Sequence, residues 1–85
     1  MDGRRSLNRL WRERYPVLGH VTFVGITKNV ISKLELEYPV LSFIKINHNG
    51  FNFKEIERKE GKDEALSTLY HSLNHVINHL IGGIK

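Results

Sequence analysis

The sequence contains no cysteine, and this absence excludes several classes of protein at once. Without cysteine there is no disulfide framework, no thiolate metal centre and no thiol redox chemistry. The Arg-rich start also lacks the continuous apolar core that a secretory signal peptide requires. These absences predict an intracellular, cytoplasmic protein. A chain of 85 residues forms one small domain with a limited core, so association with a partner would add to its stability.

Charge is missing from residues 65–84, which read ALSTLYHSLNHVINHLIGGI and contain no Asp, Glu, Lys or Arg. Apolar residues recur there at helical spacing and predict an amphipathic helix whose broad apolar stripe faces the core. The stripe consists of Leu66, Leu69, Tyr70, Leu73, Val76, Ile77, Leu80 and Ile81. The opposite face is polar but uncharged, which is typical of a protein interface. We expect a partner to bind there through Thr68, His71, Ser72, Asn74, His75, Asn78 and His79.

The three histidines of this face also have the spacing of metal ligands. His71, His75 and His79 follow one another at intervals of four residues, and two neighbouring histidines at this spacing can share a zinc or nickel ion. No carboxylate on the same face completes such a site, since Asp63 and Glu64 lie well before the first histidine. We therefore expect interface or solvent-facing histidines, with metal binding as the alternative. Three histidines and two asparagines also argue against a membrane-spanning role.

Catalytic motifs are lacking as well. The sequence has no recognisable nucleophile–base pair, set of paired carboxylates or glycine-rich phosphate loop, and it lacks the HExxH pattern of metalloproteases. It therefore predicts a protein that is not an enzyme, with no catalytic residues and no cofactor or metal ion.

Positive charge is concentrated at the N-terminus. Residues 1–15 hold five arginines against Asp2 and Glu13, and this local excess of three supplies most of the net charge of +4. Arginine binds phosphate through its planar guanidinium, and a nearby tryptophan could stack on a base. The pattern predicts nucleic-acid binding by Arg4, Arg5, Arg9, Trp11, Arg12 and Arg14. The alternatives are a solubilising arm whose apolar side chains pack on the core, or an arm that binds a membrane surface or another acidic partner.

The first half of the chain is expected to alternate helix and strand. A helix over residues 4–15 would end at Pro16. Residues 17–27 are rich in β-branched and aromatic side chains and predict a strand. Thr27 would then cap a second helix over residues 28–37, although alternating apolar residues at its end also allow a strand.

The second half is expected to form a hairpin and the uncharged helix. Asn49-Gly50 separates two β-rich runs, residues 41–47 and 51–58, and is a strong hairpin signal. Asp63 would accept the free amides at the start of the last helix, and Gly82-Gly83 would end it.

The predicted fold is therefore α+β, with an N-terminal helix followed by β-α-β-β-α. This order gives a three-stranded sheet with helices packed mainly on one face. Residues 1–15 would be a basic arm or helix, and residues 16–85 a single α+β domain.

The hairpin and the last helix resemble those of the Pcc family, the small dimerisation subunits of the KEOPS complex. In that family the helix after the hairpin opens with Ala-Leu and then bears Asn-Ser and apolar residues. The matching residues here are Ala65-Leu66, His71-Ser72-Leu73 and Val76-Ile77, and the resemblance covers about residues 19–81. The chain departs from the pattern at Ser67, where members often have Arg, and at His71, where they have Asn.

This resemblance implies a β-α-β-β-α core and a non-catalytic role. KEOPS installs threonylcarbamoyl on an adenosine next to the anticodon of certain tRNAs, and another subunit performs the chemistry. The small subunit pairs with itself or with a related protein and helps to hold tRNA. The expected partners are thus a second copy or a related small subunit, a larger complex and tRNA, but no membrane. The alternatives are a stand-alone nucleic-acid-binding protein that uses the Arg-rich segment, and a pure protein-interaction module.

Overall fold

A computed structural model describes the backbone of residues 3–82 and the side chains of residues 3–80. The side chain of Ile81, from the predicted apolar stripe, therefore lies outside the described part. So does Gly83, from the expected end of the last helix. The helices are α1 (Gly3–Leu18), α2 (His20–Leu34) and α3 (Lys62–Gly82). Between α2 and α3 lie a short 3₁₀ helix, the strands β1 (Lys45–Asn47) and β2 (Gly50–Asn52), and a second 3₁₀ helix.

The predicted strand over residues 17–27 is wrong, because most of this segment belongs to α2. Its buried residues, Phe23 and Thr27, are four apart and continue at helical spacing with Val30 and Ile31. This spacing lets one face of α2 reach the core, and the packing outweighs the β preference of the branched side chains. Thr27 is not a cap but a buried helical residue whose hydroxyl donates to the carbonyl of Phe23 at 2.8 Å.

A single glycine joins α1 to α2. Gly19 donates its N–H to the carbonyl of Tyr15 at 2.8 Å and accepts the N–H of Phe23 at 3.0 Å, so it closes one helix and opens the next. Its φ of 86° and ψ of 162° lie in a region that is essentially restricted to glycine. Pro16 therefore does not end α1, which continues for two residues to Leu18.

The predicted hairpin is present, but its turn is one residue earlier than expected. The register pairs Lys45 with Asn52 and Asn47 with Gly50, so the turn residues are His48 and Asn49. Asn49 does not have a positive φ, so Asn49-Gly50 does not form the central pair of the turn as predicted. The side-chain oxygen of Asn47 accepts the N–H of Asn49 at 2.8 Å, and this bond favours the observed turn.

The predicted three-stranded β-α-β-β-α fold is also wrong. The part of the chain that the structure describes is mostly helical and contains a two-stranded antiparallel sheet. Two predicted strand segments are partly 3₁₀ helix, over Pro39–Phe43 and Ile56–Arg58. Pro39 at the start of the first favours a helical turn there, since its ring fixes φ.

The core forms around α3, which packs against α1, α2 and the first 3₁₀ helix. Four leucine and isoleucine side chains on one stripe of α3 are almost completely buried: Leu66, Leu69, Leu73 and Ile77. From α1, Leu7 is fully buried and Leu10 nearly so. The basic N-terminal segment is therefore the outer face of a helix whose inner face belongs to the core.

Substituting Leu7 by alanine tests whether α1 is part of the core. Leu7 is 0% exposed, so Leu7→Ala should lower the free energy of unfolding by about 2–5 kcal/mol through lost burial and a cavity. Leu36→Ala is the matched control, because Leu36 is 92% exposed and its loss should change stability by less than about 0.5 kcal/mol. Urea denaturation followed by circular dichroism measures both, and equal effects would mean that α1 does not pack as described.

Candidate binding surfaces

The outward surface of α3 carries the predicted interface residues in two groups. His71, His75, Asn78 and His79 are exposed, and together they form what we call the α3 outer strip. Thr68, Ser72 and Asn74 are half-buried along its edges. None of these seven side chains is a carboxylate, lysine or arginine, so the strip carries no permanently charged group.

Apolar side chains continue the strip on the side of α2. Val76 is 38% exposed and Leu80 is 45% exposed, although both belong to the predicted core stripe. Val76 and Ser72 also line a groove of about 350 Å³ between α2 and α3, which we call the α2–α3 groove. Its α2 wall consists of Ile26, Asn29, Val30, Lys33 and Leu34. The groove could not be predicted from the sequence, because it depends on how α2 packs against α3.

The side of the strip near α1 is bounded by an arginine. Arg14 donates from its guanidinium to the side-chain oxygen of Asn78 at 3.3 Å. The Nε of Arg14 is buried without a hydrogen-bond partner. This half-buried arginine joins α1 to α3 and is not a free phosphate ligand.

The histidine rings on the strip differ in their surroundings. The rings of His75 and His79 are nearly parallel, with an interplanar angle of 19° and a centroid distance of 6.4 Å. The ring of His71 instead packs against Tyr70 with a centroid distance of 5.4 Å. Within the described residues, no three or more histidine or carboxylate side chains are grouped so that they could hold one metal ion.

A second surface lies on the outer face of α1. Arg5, Arg9 and Arg12 are exposed and are spaced by four and three residues, so that they share one side of the helix; we call them the arginine row. Arg4 forms an ion pair with Glu57 and is partly neutralised. A shallow cleft beside the row is lined by Arg4, Arg5, Asn8, Arg12, Phe53 and Glu57.

Trp11, predicted to stack on a base, belongs to an aromatic cluster. Its ring stacks on Tyr15 with a centroid distance of 4.2 Å and meets Phe23 and Phe51 edge-on at 5.0 and 5.4 Å. Gly50 lies against the same ring, since a Cβ there would sit 3.9 Å from it. These contacts give Trp11 a packing role that ties α1 to α2 and the hairpin.

A small polar cluster that was not predicted from the sequence lies at the α1–α2 corner. The hydroxyl of Tyr15 and Nδ1 of His20 are hydrogen-bonded at 2.7 Å. The ring of His20 stacks on that of His48 in the hairpin turn, with a centroid distance of 4.0 Å. Three separate elements contribute these side chains, so no local sequence pattern indicates the cluster.

Comparisons with protein-family models, with curated proteins and with solved structures found no match for this chain. The resemblance to the Pcc family thus stays an expectation from the sequence, and the β-α-β-β-α core that it implies is not the observed fold. Among the described helices, none combines the length and the apolar character that crossing a bilayer requires.

Removing the Trp11 ring tests its packing role. Trp11→Ala should lower the free energy of unfolding by about 2–4 kcal/mol, because three aromatic neighbours lose their partner. Arg12→Ala removes the neighbouring exposed side chain and should cost less than about 0.5 kcal/mol. Thermal and urea denaturation give both values; a Trp11→Ala variant as stable as the wild type would contradict the cluster.

Proposed function

We propose that this chain is a non-catalytic subunit that assembles by pairing with a second copy of itself through the α3 outer strip. The observation that carries the proposal is an exposed helix surface that is free of fixed charge and is continued by exposed apolar side chains, Val76 and Leu80. Exposed helix faces of a monomer usually carry Lys and Glu instead.

Symmetry favours a second copy as the occupant. In a twofold dimer the same patch meets itself, so each charged side chain near the axis approaches its own copy. Such a pairing is opposed by like charges and permitted by a surface that has none. The imidazole and amide groups of the strip can donate and accept hydrogen bonds across the axis. The exposed apolar surface of Val76 and Leu80 would be buried in the interface and removed from water.

The fold adds a second argument. Among the described helices, α3 contributes the most buried apolar side chains to the core, and a domain of this size is only marginally stable alone. A partner that binds the outer face of α3 only in the folded state would stabilise the folded chain by mass action.

A second candidate function is binding of the sugar–phosphate backbone of RNA by the arginine row. It is favoured by three exposed guanidiniums on one side of a helix that is docked firmly in the core. The row extends for about 10 Å at 1.5 Å per residue, so it can contact more than one phosphate of a single strand. Because Trp11 packs on another aromatic ring, we expect the arginine row to bind phosphates without contacts to the bases.

A place in a tRNA-modifying assembly such as KEOPS stays a prediction that rests on the family resemblance alone. A subunit that pairs through α3 and holds RNA through α1 would suit such an assembly. A pure interaction module would use α3 only, and a stand-alone nucleic-acid-binding protein would use α1 only.

A glutamate in the proposed interface tests the pairing. Val76→Glu brings a carboxylate close to its own copy, so we expect the dimer to weaken at least about tenfold, which is 1.4 kcal/mol. Ser32→Glu is the matched control, since Ser32 is exposed on α2 outside the groove, and it should pair like the wild type. Sedimentation equilibrium of the full chain with a chelator present measures the association. A wild type that is monomeric in this experiment, or a variant that pairs unchanged, would overturn the proposal.

Charge removal along α1 tests the second candidate. Replacing Arg5, Arg9 and Arg12 together by alanine should abolish binding to single-stranded RNA, and each single replacement should reduce the salt slope by about 0.7. The control removes three exposed lysines elsewhere, at Lys28, Lys45 and Lys54. Fluorescence anisotropy over a range of salt concentrations measures both. Equal losses in the two triple variants would mean general charge attraction. Deleting α1 would be a poorer test, because Leu7 and Leu10 would leave the core with it.

A further inference from the structure

Two histidines on the α3 outer strip have the spacing and exposure of metal ligands. His75 and His79 stand one helical turn apart and are both exposed. Their rings are almost parallel, with centroids 6.4 Å apart, so a rotation of the two side chains can turn a nitrogen of each toward a common point. Neutral imidazole suits zinc, nickel and copper, with a metal–nitrogen distance of about 2.0–2.1 Å for zinc.

The described residues of one chain can fill only part of the coordination shell. Zinc in a closed protein site takes four ligands, usually in a tetrahedron. The residues that the structure describes hold no group of three or more suitable side chains. The carboxylates of Asp63 and Glu64 lie in the first turn of α3, whereas the two histidines lie near its last turns. The described residues of one chain therefore leave two positions on the ion unfilled.

A second copy can supply these two ligands. A twofold axis that passes between His75 and His79 brings the same pair from the other chain to the same point, which gives four imidazole ligands. Val76 lies three residues before His79 and four before Leu80, and these spacings make the side chains neighbours on the helix surface. The exposed apolar contacts of the proposed dimer would therefore lie beside the ion.

The neighbouring charges limit how tightly such a site can bind. Four neutral imidazoles leave the two positive charges of the ion uncompensated. Arg14 bonds to Asn78 on one side of the strip, and Lys33 lines the α2–α3 groove on the other. These cations oppose binding, so the ion would tighten a pre-existing apolar contact and not replace it.

We propose that His75 and His79 bind a divalent transition-metal ion and that a second copy of the chain completes its coordination. This inference rests on the proposed self-association through α3. The pair His71 and His75 has the same spacing, but the ring of His71 packs on Tyr70, and the exposed apolar residues adjoin the other pair.

The test compares association in zinc chloride with association in a chelator. For the full chain we expect zinc to lower the dimer dissociation constant at least tenfold, with one ion bound per two chains, as measured by sedimentation equilibrium and by isothermal titration. His79→Gln should remove the zinc effect, so that this variant associates equally in zinc and in chelator. His71→Gln should still associate more tightly in zinc than in chelator, and His75→Gln should behave like His79→Gln.

Each other outcome counts against the inference. A dimer of equal strength in zinc and in chelator would overturn the metal bridge and leave the proposed pairing intact. One ion per chain without tighter association would mean adventitious binding. Loss of the zinc effect in His71→Gln but not in His79→Gln would assign the ion to the other pair. A monomer under both conditions would overturn the bridge and the proposed function together.

Discussion

Burial of one stripe of α3 determines where every other surface of this protein lies. Leu66, Leu69, Leu73 and Ile77 are almost fully buried, and α1 and α2 pack on either side of the helix that carries them. Because the rest of α3 then faces outward, its histidines and amides form an exposed strip between two helices. The same packing turns the inner face of α1 toward the core and leaves the arginine row on the outer face.

Most of α3 could be predicted from the sequence because its signals are local. Apolar residues at helical spacing indicated the helix, and the absence of charge marked its outer face. The exposure of Val76 and Leu80 could not be predicted, since it depends on where α2 ends its contact with α3. The arginines of α1 were also visible in the sequence, but the role of Trp11 depends on Phe23 and Phe51, which are distant along the chain.

The first part of α2 could not be assigned from residue preference alone. Residues 17–27 are rich in β-branched side chains, yet Phe23 and Thr27 are buried one helical turn apart. The decisive information is the contact between α2 and α3. A helix brings Phe23, Thr27 and Val30 to one face, whereas in a strand Val30 would face the opposite side. The hairpin was predicted because Asn49-Gly50 is a local signal, while the exact turn depends on a side-chain bond from Asn47.

The one-residue joint at Gly19 has a consequence for how the chain reaches this structure. Contacts between α1 and α2 connect residues that are close in sequence, so the formation of this corner costs little loop-closure entropy. Docking of α3 must instead close a loop that includes the whole hairpin region. The corner between α1 and α2 is therefore suited to form early in folding. The packing of α3 against these two helices is the slower step, because it joins residues that are distant in sequence. A bulkier residue at position 19 would have to abandon a torsion that essentially only glycine adopts, and it would slow the early step as well as weaken the product.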